Sequence, residues 1–381
     1  MPDDATDDAV RRMMAPEVAA GDIDLSVGEP DQALPSGLVE AAVRSLRAGR
    51  TGYTPKLGLT ELREEIAGDI ERASGFRPAL DDVVVTLGGT GAVAVALAAV
   101  CVPGGGVVIP DPAWPNYRVL AERLGVTVHT YPQGPGGDGM IDLEAVAAGL
   151  RAGARLVVVN SPSNPTGAVA SAAALRALVA LVREHRAYIL SDEAYEAIVF
   201  SGDRAASPLA HGGHDVTFSA RTFSKTYSMT GLRAGALISP PEFRVAVAAL
   251  HGTTAGCAPV TAQLVGIEAL RSLPDRGRDL AAAYRARFER ALSALGPWAQ
   301  DVSLERLGGF YLWVDARRTG RTGNDLSDRL RERGVVVSSG TVYTATDGFL
   351  RIALTADDDA LDKALTIVRE VLSMDGTTDE R

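Results

Sequence analysis

A lysine lies among hydroxyl residues in the segment Arg221-Thr-Phe-Ser-Lys-Thr-Tyr-Ser-Met-Thr-Gly-Leu-Arg233. The amine of Lys225 can form a Schiff base with an aldehyde when its pKa is lowered and its approach is fixed. The hydroxyls of Thr222 and Ser224, with the guanidinium of Arg233, could hold a phosphate beside it. An amine next to a phosphate site favours pyridoxal phosphate (PLP), whose chemistry uses a lysine Schiff base. Taken alone, the segment also fits a surface lysine in a Ser/Thr loop.

A glycine-rich turn, Thr86-Leu-Gly-Gly-Thr-Gly-Ala-Val93, offers further contacts to a phosphate. It follows an apolar run and precedes an Ala/Val-rich helical pattern. At such a helix N-terminus the backbone amides and the helix dipole both favour an anion. Gly88, Gly89 and Thr90 are therefore candidate phosphate contacts, although many strand-to-helix turns contain glycine for structural reasons alone.

A carboxylate ends another apolar run in Leu190-Ser-Asp-Glu-Ala-Tyr-Glu196. The PLP ring nitrogen needs an anion that keeps it protonated, because the positive ring draws electrons from the substrate. Asp192 lies at a strand end, where parallel sheets collect ligands. Tyr195 could donate to the phenolic oxygen of the ring. The alternative interpretation is an Asp and a Glu that cap the next helix.

Two more loops follow apolar runs. In Asn160-Ser-Pro-Ser-Asn-Pro-Thr-Gly167, two X-Pro steps and a glycine fix a rigid turn. Asn164 could then offer an amide hydrogen to the same ring oxygen, although the motif also fits a simple turn at a strand exit. Trp114, in Asp111-Pro-Ala-Trp-Pro-Asn116, could stack on the cofactor or pack in the core.

The elements that must position these residues are apolar, β-branched runs that alternate with Ala/Leu-rich ones. The predicted strands are Val83–Thr86, Val107–Pro110, Val126–Tyr131, Leu156–Asn160, Tyr188–Ser191, Val216–Ser219 and Gly235–Ser239. The predicted helices between them include Gly91–Cys101, Pro115–Leu124 and Ser171–His185. This alternation predicts crossover units and a mostly parallel sheet covered by helices. Continuous apolar runs indicate that both faces of the sheet are buried.

The pattern changes after about Leu273. The predicted elements there are a helix at Asp279–Leu295, an aromatic stretch at 308–315, a helix at Asn324–Arg333, strands at Val335–Ser338 and Phe349–Leu354, and a helix at Asp357–Ser373. We expect a large domain at 46–275, a smaller α/β domain at 276–381, and an N-terminal segment at 1–45 that joins the smaller one. A turn-rich loop is predicted at Pro132–Gly139.

Composition excludes several classes of function. The chain has 381 residues, 46% of them hydrophobic, and a net charge of −10, so a nucleic-acid partner is not expected. Cys101 and Cys257 lack metal-binding spacing, which argues against a zinc site or a disulfide framework. The acidic N-terminus does not resemble a signal peptide, and the apolar run at 92–102 is too short to span a membrane. A soluble cytoplasmic protein is expected.

The order of these motifs, each after its own strand, resembles the class I and II aminotransferases, which are fold type I PLP enzymes. The resemblance spans about Leu25 to Leu354. It implies a large α/β domain with a mostly parallel central sheet and a smaller α/β domain. It also implies that Lys225 carries the Schiff base and moves the proton from the substrate α-carbon. By the same resemblance, Asp192 pairs with the ring nitrogen, and Tyr195 and Asn164 bond the ring oxygen. The implied phosphate contacts are Gly89, Thr90, Thr222, Ser224 and Arg233, and Trp114 is the implied stacking residue.

Three other segments extend the resemblance. Arg351, in Phe349-Leu-Arg-Ile-Ala-Leu354, matches the arginine that binds the substrate α-carboxylate, for which a planar guanidinium is well suited. Gly28 matches a backbone turn at the same carboxylate. Tyr53, in Thr51-Gly-Tyr-Thr-Pro-Lys56, resembles a tyrosine that reaches the phosphate of a neighbouring subunit. A homodimer with shared sites is therefore implied.

Some positions depart from the family pattern or stay open. Gly91 and Val93 stand where many members carry larger residues. No second arginine can be assigned to a dicarboxylate site, which disfavours a specialist for aspartate or glutamate. Tyr117, Phe310 and Tyr311 could shape a less charged pocket, although core packing explains them as well.

The implied reaction is transamination, in which an amino acid gives its amine to the cofactor and a 2-oxo acid then receives it, in a ping-pong sequence. The alternative is another PLP reaction on an amino acid: decarboxylation, β-elimination, cyclisation or oxidation. Fold does not decide between them, because the bond held perpendicular to the ring is the one that breaks. A PLP-sensing regulator is disfavoured, since no basic DNA-binding segment precedes Leu25.

Overall fold

The computed structural model describes residues 18–133, 141–298 and 303–374. The strands are β1 (Ile23–Asp24), β2 (Val83–Leu87), β3 (Gly106–Asp111), β4 (Thr127–Pro132), β5 (Ala154–Asn160), β6 (Tyr188–Asp192), β7 (Thr217–Thr222), β8 (Ala234–Ile238), β9 (Tyr311–Asp315), β10 (Val335–Val336), β11 (Ser338–Ser339) and β12 (Phe349–Ala353). The helices are α1 (Ser36–Arg47), α2 (Thr60–Ser74), α3 (Gly88–Val100), α4 (Asn116–Arg123), α5 (Leu143–Arg151), α6 (Ala172–Glu184), α7 (Arg244–Thr254), α8 (Val260–Ser272), α9 (Arg276–Leu295), α10 (Gly323–Glu332) and α11 (Asp358–Met374). The acidic N-terminus and most of the predicted loop at 132–139 lie outside the described residues.

Seven strands form the central sheet, in the order β2-β8-β7-β6-β5-β3-β4. The pairs from β7 through β4 are parallel, whereas β8 is antiparallel to both of its neighbours. Each of the strands predicted between Val83 and Ser239 is present, with ends shifted by one or a few residues. The predicted α/β class with a mostly parallel sheet is confirmed.

Both faces of this sheet are buried, as β5 shows. Leu156 and Val158 pack into the apolar cluster on one face of the sheet, while Val157 and Val159 pack into the cluster on the other. Successive side chains of a strand point to opposite faces, so an uninterrupted apolar run supplies two cores at once. Helices on each side complete these cores, and α6 is held at its start by Ser171, whose hydroxyl accepts from the Ala174 amide at 3.1 Å.

The register of the sheet determines where the polar motifs meet. Asn160 at the end of β5 is paired with Asp192 at the end of β6, which in turn is paired with Ala220 of β7. Parallel strands end at the same edge, so the residues that follow them share one region of space. That edge carries the site described below.

The C-terminal residues form a second, smaller core around an antiparallel sheet in the order β11-β12-β9. Helices α9, α10 and α11 pack there. The N-terminal segment contributes to both parts: β1 pairs with β10, whereas α1 packs against α8. The domain limits given by the sequence remain a prediction.

Within residues 18–133, 141–298 and 303–374, no helix combines the length and the apolar character that crossing a bilayer requires.

Candidate active site

A cavity of about 260 Å³ lies at the carboxyl edge of the central sheet. Its walls come from the strand ends, the start of α3, the N-terminal segment and the small sheet. The lining residues are Gly28, Gly89, Thr90, Trp114, Tyr117, Asn160, Asn164, Asp192, Ala194, Tyr195, Thr222, Ser224, Lys225, Arg233, Tyr311 and Arg351. The cavity thus brings together the residues selected from the sequence, except Gly88 and Tyr53.

One end of the cavity is built to receive an anion. The turn after β2 enters α3 at Gly88, whose φ of 70° is left-handed and favours glycine. A Cβ at Gly88 would lie 2.9 Å from the Arg233 guanidinium, so the arginine rests directly over the turn. The neighbouring amides of Gly89 and Thr90 begin the helix beside the hydroxyl of Thr222. Helix dipole, hydroxyls and guanidinium converge on this end.

Close packing of the turn against β8 explains why glycine also stands at 235. A Cβ there would lie 2.5 Å from the Gly88 carbonyl carbon and 2.7 Å from the Arg221 carbonyl oxygen. Any side chain would push the turn out of the cavity wall. Gly235 therefore fixes the position of the anion-binding end.

Asp192, the last residue of β6, also lines the cavity and is 6% exposed. Its carboxylate accepts a hydrogen bond from the Tyr117 hydroxyl at 2.5 Å and from the Ala194 amide at 3.2 Å. Burial raises the pKa of Asp192 to about 6, and these hydrogen bonds and Lys225 oppose the rise only in part. The ionised carboxylate thus lacks a full counter-charge in this pocket, and a cationic ligand would stabilise it.

Lys225 follows β7 and lines the cavity. Its Nζ donates to the Gly28 carbonyl oxygen at 2.6 Å. That carbonyl belongs to the N-terminal segment, which is tied to the small sheet through Leu25 and Ala353. The amine is therefore held at the junction of the two parts of the molecule.

Arg351 enters the cavity from β12 and is held on several sides. Its guanidinium carbon lies 4.2 Å from the Tyr311 ring centre and 4.8 Å from the Tyr343 ring centre. It donates to Asn164 Oδ1 at 3.0 Å and to the Ser26 carbonyl oxygen. Its buried Nε has no hydrogen-bond partner in the described part of the chain. A guanidinium that is packed between two rings and has a free N–H donor is suited to a carboxylate ligand.

Tyr195 and Tyr311 are neighbours in the cavity wall, and the Tyr195 hydroxyl donates to the Tyr311 hydroxyl at 3.2 Å. Burial and the Tyr311 hydroxyl raise the pKa of Tyr195 well above its usual value, so it is a hydrogen-bond donor at neutral pH. A Cβ at Gly28 would lie 1.6 Å from the Tyr311 hydroxyl. Glycine at 28 is thus required for Tyr311 to occupy its place in the wall.

The three aromatic residues left open by the sequence have different roles. Tyr311 lines the cavity. Tyr117 also lines it, but its hydroxyl binds Asp192 rather than open space. Phe310 is fully buried in the C-terminal core, so the packing interpretation is correct there.

Asn160 and Ala194 also line the cavity, although the sequence motifs gave them no role. Asn160 Oδ1 accepts from the Asn164 amide at 2.7 Å, and its Nδ2 donates to the Asp192 carbonyl at 3.0 Å. It therefore ties the Asn-Pro turn to the Asp192 strand end. The sequence signal for Asn160 was its position as a polar residue at the end of a buried strand.

Trp114 and Tyr53 complete the comparison with the sequence. Trp114 stands edge-on to Tyr117, with ring centres 5.3 Å apart, and presents part of its surface to the cavity. Tyr53 is 99% exposed and does not contribute to the cavity of its own chain.

The cavity fits pyridoxal phosphate by the chemistry of its donors. An anionic group would meet the α3 amides, Thr222 and Arg233 at one end. A protonated ring nitrogen would meet Asp192, whose carboxylate lacks a full counter-charge. An aldehyde between them would lie near the Lys225 amine. The donor set therefore matches each polar part of this cofactor.

Comparisons with known proteins agree with this chemistry. Residues 20–368 match the sequence model of the family described as aminotransferase class I and II. The aspartate/prephenate aminotransferase of Thermus thermophilus is 33% identical over 361 residues, which cover 91% of this chain and 90% of that protein. Two solved structures are similar. The aspartate aminotransferase from Thermus thermophilus with maleate gives a TM-score of 0.85 at 30% identity, with 97% of each chain covered. The aromatic aminotransferase from Pyrococcus horikoshii gives 0.87 at 27% identity, covering 97% of this chain and 99% of that one.

Proposed function

The chain belongs to the class I and II aminotransferase family, and we propose that Lys225, Asp192 and Arg351 carry its reaction. It is a PLP-dependent aminotransferase, which moves an amino group from an amino acid to a 2-oxo acid by a ping-pong mechanism. The observation that supports the assignment of residues is one cavity lined by Lys225, Asp192 and Arg351, which supply an amine, a carboxylate and a guanidinium.

The phosphate of the cofactor is assigned to the anion-binding end. Gly88, Gly89 and Thr90 would contribute the start of α3, and Thr222, Ser224 and Arg233 the opposite wall. Arg233 is held for this task, because its guanidinium donates to the Thr230 carbonyl at 2.7 Å. When bound, pyridoxal phosphate supplies an electron-withdrawing ring that accepts the electron pair released at the substrate α-carbon.

Lys225 is assigned two tasks. Its amine would hold the cofactor at the aldehyde carbon, and the free amine would take the proton from the substrate α-carbon. General base catalysis requires hydrogen-bond reach to the proton that is moved. Lys225 lines the same cavity as Asp192 and Arg351, which supports this reach.

Asp192 keeps the ring nitrogen protonated, and Tyr195 and Asn164 bond the ring oxygen. The hydrogen bond between Asn164 Oδ1 and Arg351 leaves the amide nitrogen of Asn164 as the group that donates. Trp114 covers the ring. Each of these side chains lines the cavity, which supports the assignment.

Arg351 binds the substrate α-carboxylate, with the Gly28 backbone, Asn164 and Trp114 nearby. A planar guanidinium can grip both carboxylate oxygens and so set the direction of the α-hydrogen. The cage of Tyr311 and Tyr343 restricts the guanidinium before substrate binds. We assign orientation to Arg351 and proton transfer to Lys225.

We also propose a homodimer in which Tyr53 reaches the phosphate of the neighbouring subunit. An aromatic side chain that is 99% exposed supports a partner surface at this position. Sedimentation of the wild-type chain should give a dimer, and Tyr53→Phe should weaken PLP binding without changing the oligomeric state. A monomer with full activity would contradict this part of the proposal.

A cytoplasmic location is proposed as well. The thiols of Cys101 and Cys257 are free, which suits a reducing compartment.

The test of the function is a half-reaction. PLP-loaded protein mixed with one amino acid at a time, from a panel of acidic, aromatic, aliphatic and basic side chains, should yield the 2-oxo acid and pyridoxamine phosphate in equal amounts. Release of carbon dioxide, or of ammonia without formation of pyridoxamine phosphate, would indicate another PLP reaction. Lys225→Ala should lower kcat at least about a thousandfold, while the folded variant still binds PLP weakly. Normal turnover in that variant would overturn the assignment.

A further inference from the structure

Behind the cavity lies a buried group of charged side chains that the reaction does not use. We define it as the rear ion cluster: Asp69, Glu193, Glu196, Arg204 and Arg221. Asp69, Glu193 and Arg221 are each less than a tenth exposed. Buried charges of this kind are rare unless they are paired. Their place directly behind the reactive strand ends calls for an explanation beyond stability.

The cluster is connected by measured contacts. Arg204 binds both carboxylate oxygens of Asp69 at 2.9 Å. Arg221 lies 3.4 Å from Asp69 and 3.6 Å from Glu196, and its other nitrogen lies 2.8 Å from Glu193. Arg72 approaches Asp69 at 3.4 Å from the exposed rim. With Arg72 included, carboxylates and guanidinium groups are equal in number.

Strand geometry joins the cluster to the active site. Side chains alternate between the two faces of a strand. Asp192 and Thr222 line the cavity, so their chain neighbours Glu193 and Arg221 point to the rear. The parallel register pairs Asp192 with Ala220 and therefore sets Glu193 beside Arg221.

The pair also marks the last connection between the two strands. The Glu193 amide donates to the Ala220 carbonyl at 2.9 Å; β6 has ended at Asp192, whereas β7 continues along β8 to Thr222. Glu193 is fixed on its other side by the Ser207 hydroxyl, which donates at 2.6 Å. A displacement of either strand end would move Asp192 relative to Lys225, which lies three residues after the last residue of β7.

We propose that the Glu193–Arg221 ion pair is a positioning element that holds Asp192 and the Thr222–Lys225 turn at the separation the bound cofactor requires. The proposal rests on the proposed function, since it assigns both ends of the cofactor to these residues. Neither Glu193 nor Arg221 touches the cofactor or the substrate. They act through the strand ends that they join and through their charges.

The test compares Glu193→Gln, Arg221→Met and the double variant with wild type. The first readout is the dissociation constant for PLP. It is measured by titrating apo protein with PLP and recording the quenching of tryptophan fluorescence. Each single variant should weaken PLP binding at least about tenfold, the range that partners of ligand-binding groups typically supply. The double variant should be no weaker than the worse single, because one interaction is lost in all three.

The second readout is the pH at which the visible absorption of the bound cofactor changes. Glu193→Gln leaves a positive charge uncompensated near the site, so this pH should fall. Arg221→Met leaves a negative charge, so it should rise. A merely structural role would not produce shifts of opposite sign.

Asp82→Asn is the matched control. Asp82 is a buried carboxylate that pairs with Arg244 at 2.8 Å, at the opposite edge of the same sheet. It should lower the Tm while PLP affinity stays within about twofold. If it weakens PLP binding as much as Glu193→Gln, general destabilisation explains the effect and the inference is overturned.

Arg221→Lys keeps the charge but loses the planar fork, so it should weaken PLP binding without the shift in absorption midpoint, and it replaces Glu193→Gln as the affinity test if that variant does not fold. Unchanged affinity and unchanged absorption midpoint in the folded variants would overturn the inference. Failure of the wild-type protein to bind PLP would overturn the proposed function instead, so the two failures are distinguishable.

Discussion

Two buried aspartates, Asp69 and Asp192, differ in how the protein treats their charge. At Asp69 burial alone would raise the pKa, but Arg204 and Arg221 outweigh it and the pKa lies below the usual value. At Asp192 burial raises the pKa to about 6, and hydrogen bonds from Tyr117 and Ala194 oppose it only in part. The chain thus supplies cations to one carboxylate and leaves the other for a ligand.

The difference distinguishes a carboxylate that is paired within the protein from one that is available to a ligand. A buried carboxylate with its own arginines is complete in the absence of any ligand. One that lacks a cation weakens the apo protein and gains when a cationic group binds. The same contrast holds for the arginines: Arg221 contacts three carboxylates, whereas Arg351 is held by aromatic rings and carbonyl oxygens.

The largest expected effect is on turnover. Asp192→Ala should lower kcat by at least about a hundredfold, because the ring loses the anion that keeps it protonated, while the cofactor stays attached to Lys225. Steady-state kinetics and the visible spectrum of the loaded variant measure these two results. Asp82→Asn, which also removes a buried carboxylate, should keep kcat within about twofold. Unchanged turnover in Asp192→Ala would contradict the assigned role.

Arg351→Lys should lower kcat/KM about a hundredfold, mostly through KM, because an ammonium cannot bind two carboxylate oxygens as a fork does. Initial rates over a range of amino-acid concentrations separate the two constants. Arg317→Lys is the control, since Arg317 also lies over a ring of the small sheet, 4.8 Å from the centre of Phe349, but outside the cavity. Equal effects of both substitutions would argue against carboxylate binding by Arg351.

The apo protein should lose stability as the pH rises through the range in which Asp192 ionises. The folded-state pKa is about 6 and the usual value is 3.8, so the folded state binds the proton more tightly. The difference corresponds to about 3 kcal/mol, present below pH 4 and lost by about pH 7. Urea unfolding of apo wild type and Asp192→Asn at several pH values should show this loss only in wild type. If the free energy of unfolding depended on pH in the same way in both proteins, the raised pKa of Asp192 would be contradicted.

Asp69 should behave in the opposite sense, which sharpens the contrast. Its lowered pKa means that it stabilises the folded state above its usual pKa and loses this contribution as the pH falls. Asp69→Asn should lower the free energy of unfolding at pH 7 by about 3 kcal/mol, because Arg204 and Arg221 lose a buried partner. Urea unfolding over the same pH series measures this free energy. An Asp69→Asn variant more stable than wild type at pH 7 would contradict the stabilising role of the Asp69 carboxylate.

The smallest effect is expected at Tyr117. Its hydroxyl lowers the pKa of Asp192. In apo Tyr117→Phe the loss of stability should therefore occur at a higher pH than in apo wild type. Turnover should fall by about threefold to tenfold, the usual net size of one hydrogen bond. A downward movement of the stability curve would show that Tyr117 does not act on Asp192.

Much of this site was predictable because its residues follow buried strands. Continuous apolar runs identify the strands, and each polar motif that follows a strand end must reach the same edge of a parallel sheet. This is why Asp192, Lys225 and Asn164 meet although they are distant in sequence. The antiparallel direction of β8 had no such signal, since an apolar run does not state its direction.

Pairings across the fold were less predictable. Tyr117 and Asp192 are 75 residues apart, and no local pattern links them. Alternation predicts that Glu193 and Arg221 point away from the cavity, but the arrival of Asp69 from α2 depends on how that helix packs. The helix itself was within reach, since Leu62, Ile66 and Ile70 form an apolar face at four-residue spacing. Helix α8 is harder to recognise, because Gly266 interrupts a pattern that is buried on several sides.

The central claim is that one amine, Lys225, carries the cofactor. The lysines of the chain are Lys56, Lys225 and Lys363, so the attachment site can be read without ambiguity. Borohydride reduction of PLP-loaded protein, followed by peptide mass spectrometry, should place the pyridoxyl group on the peptide that contains Lys225. A reduced protein in which that peptide is unmodified would contradict the account.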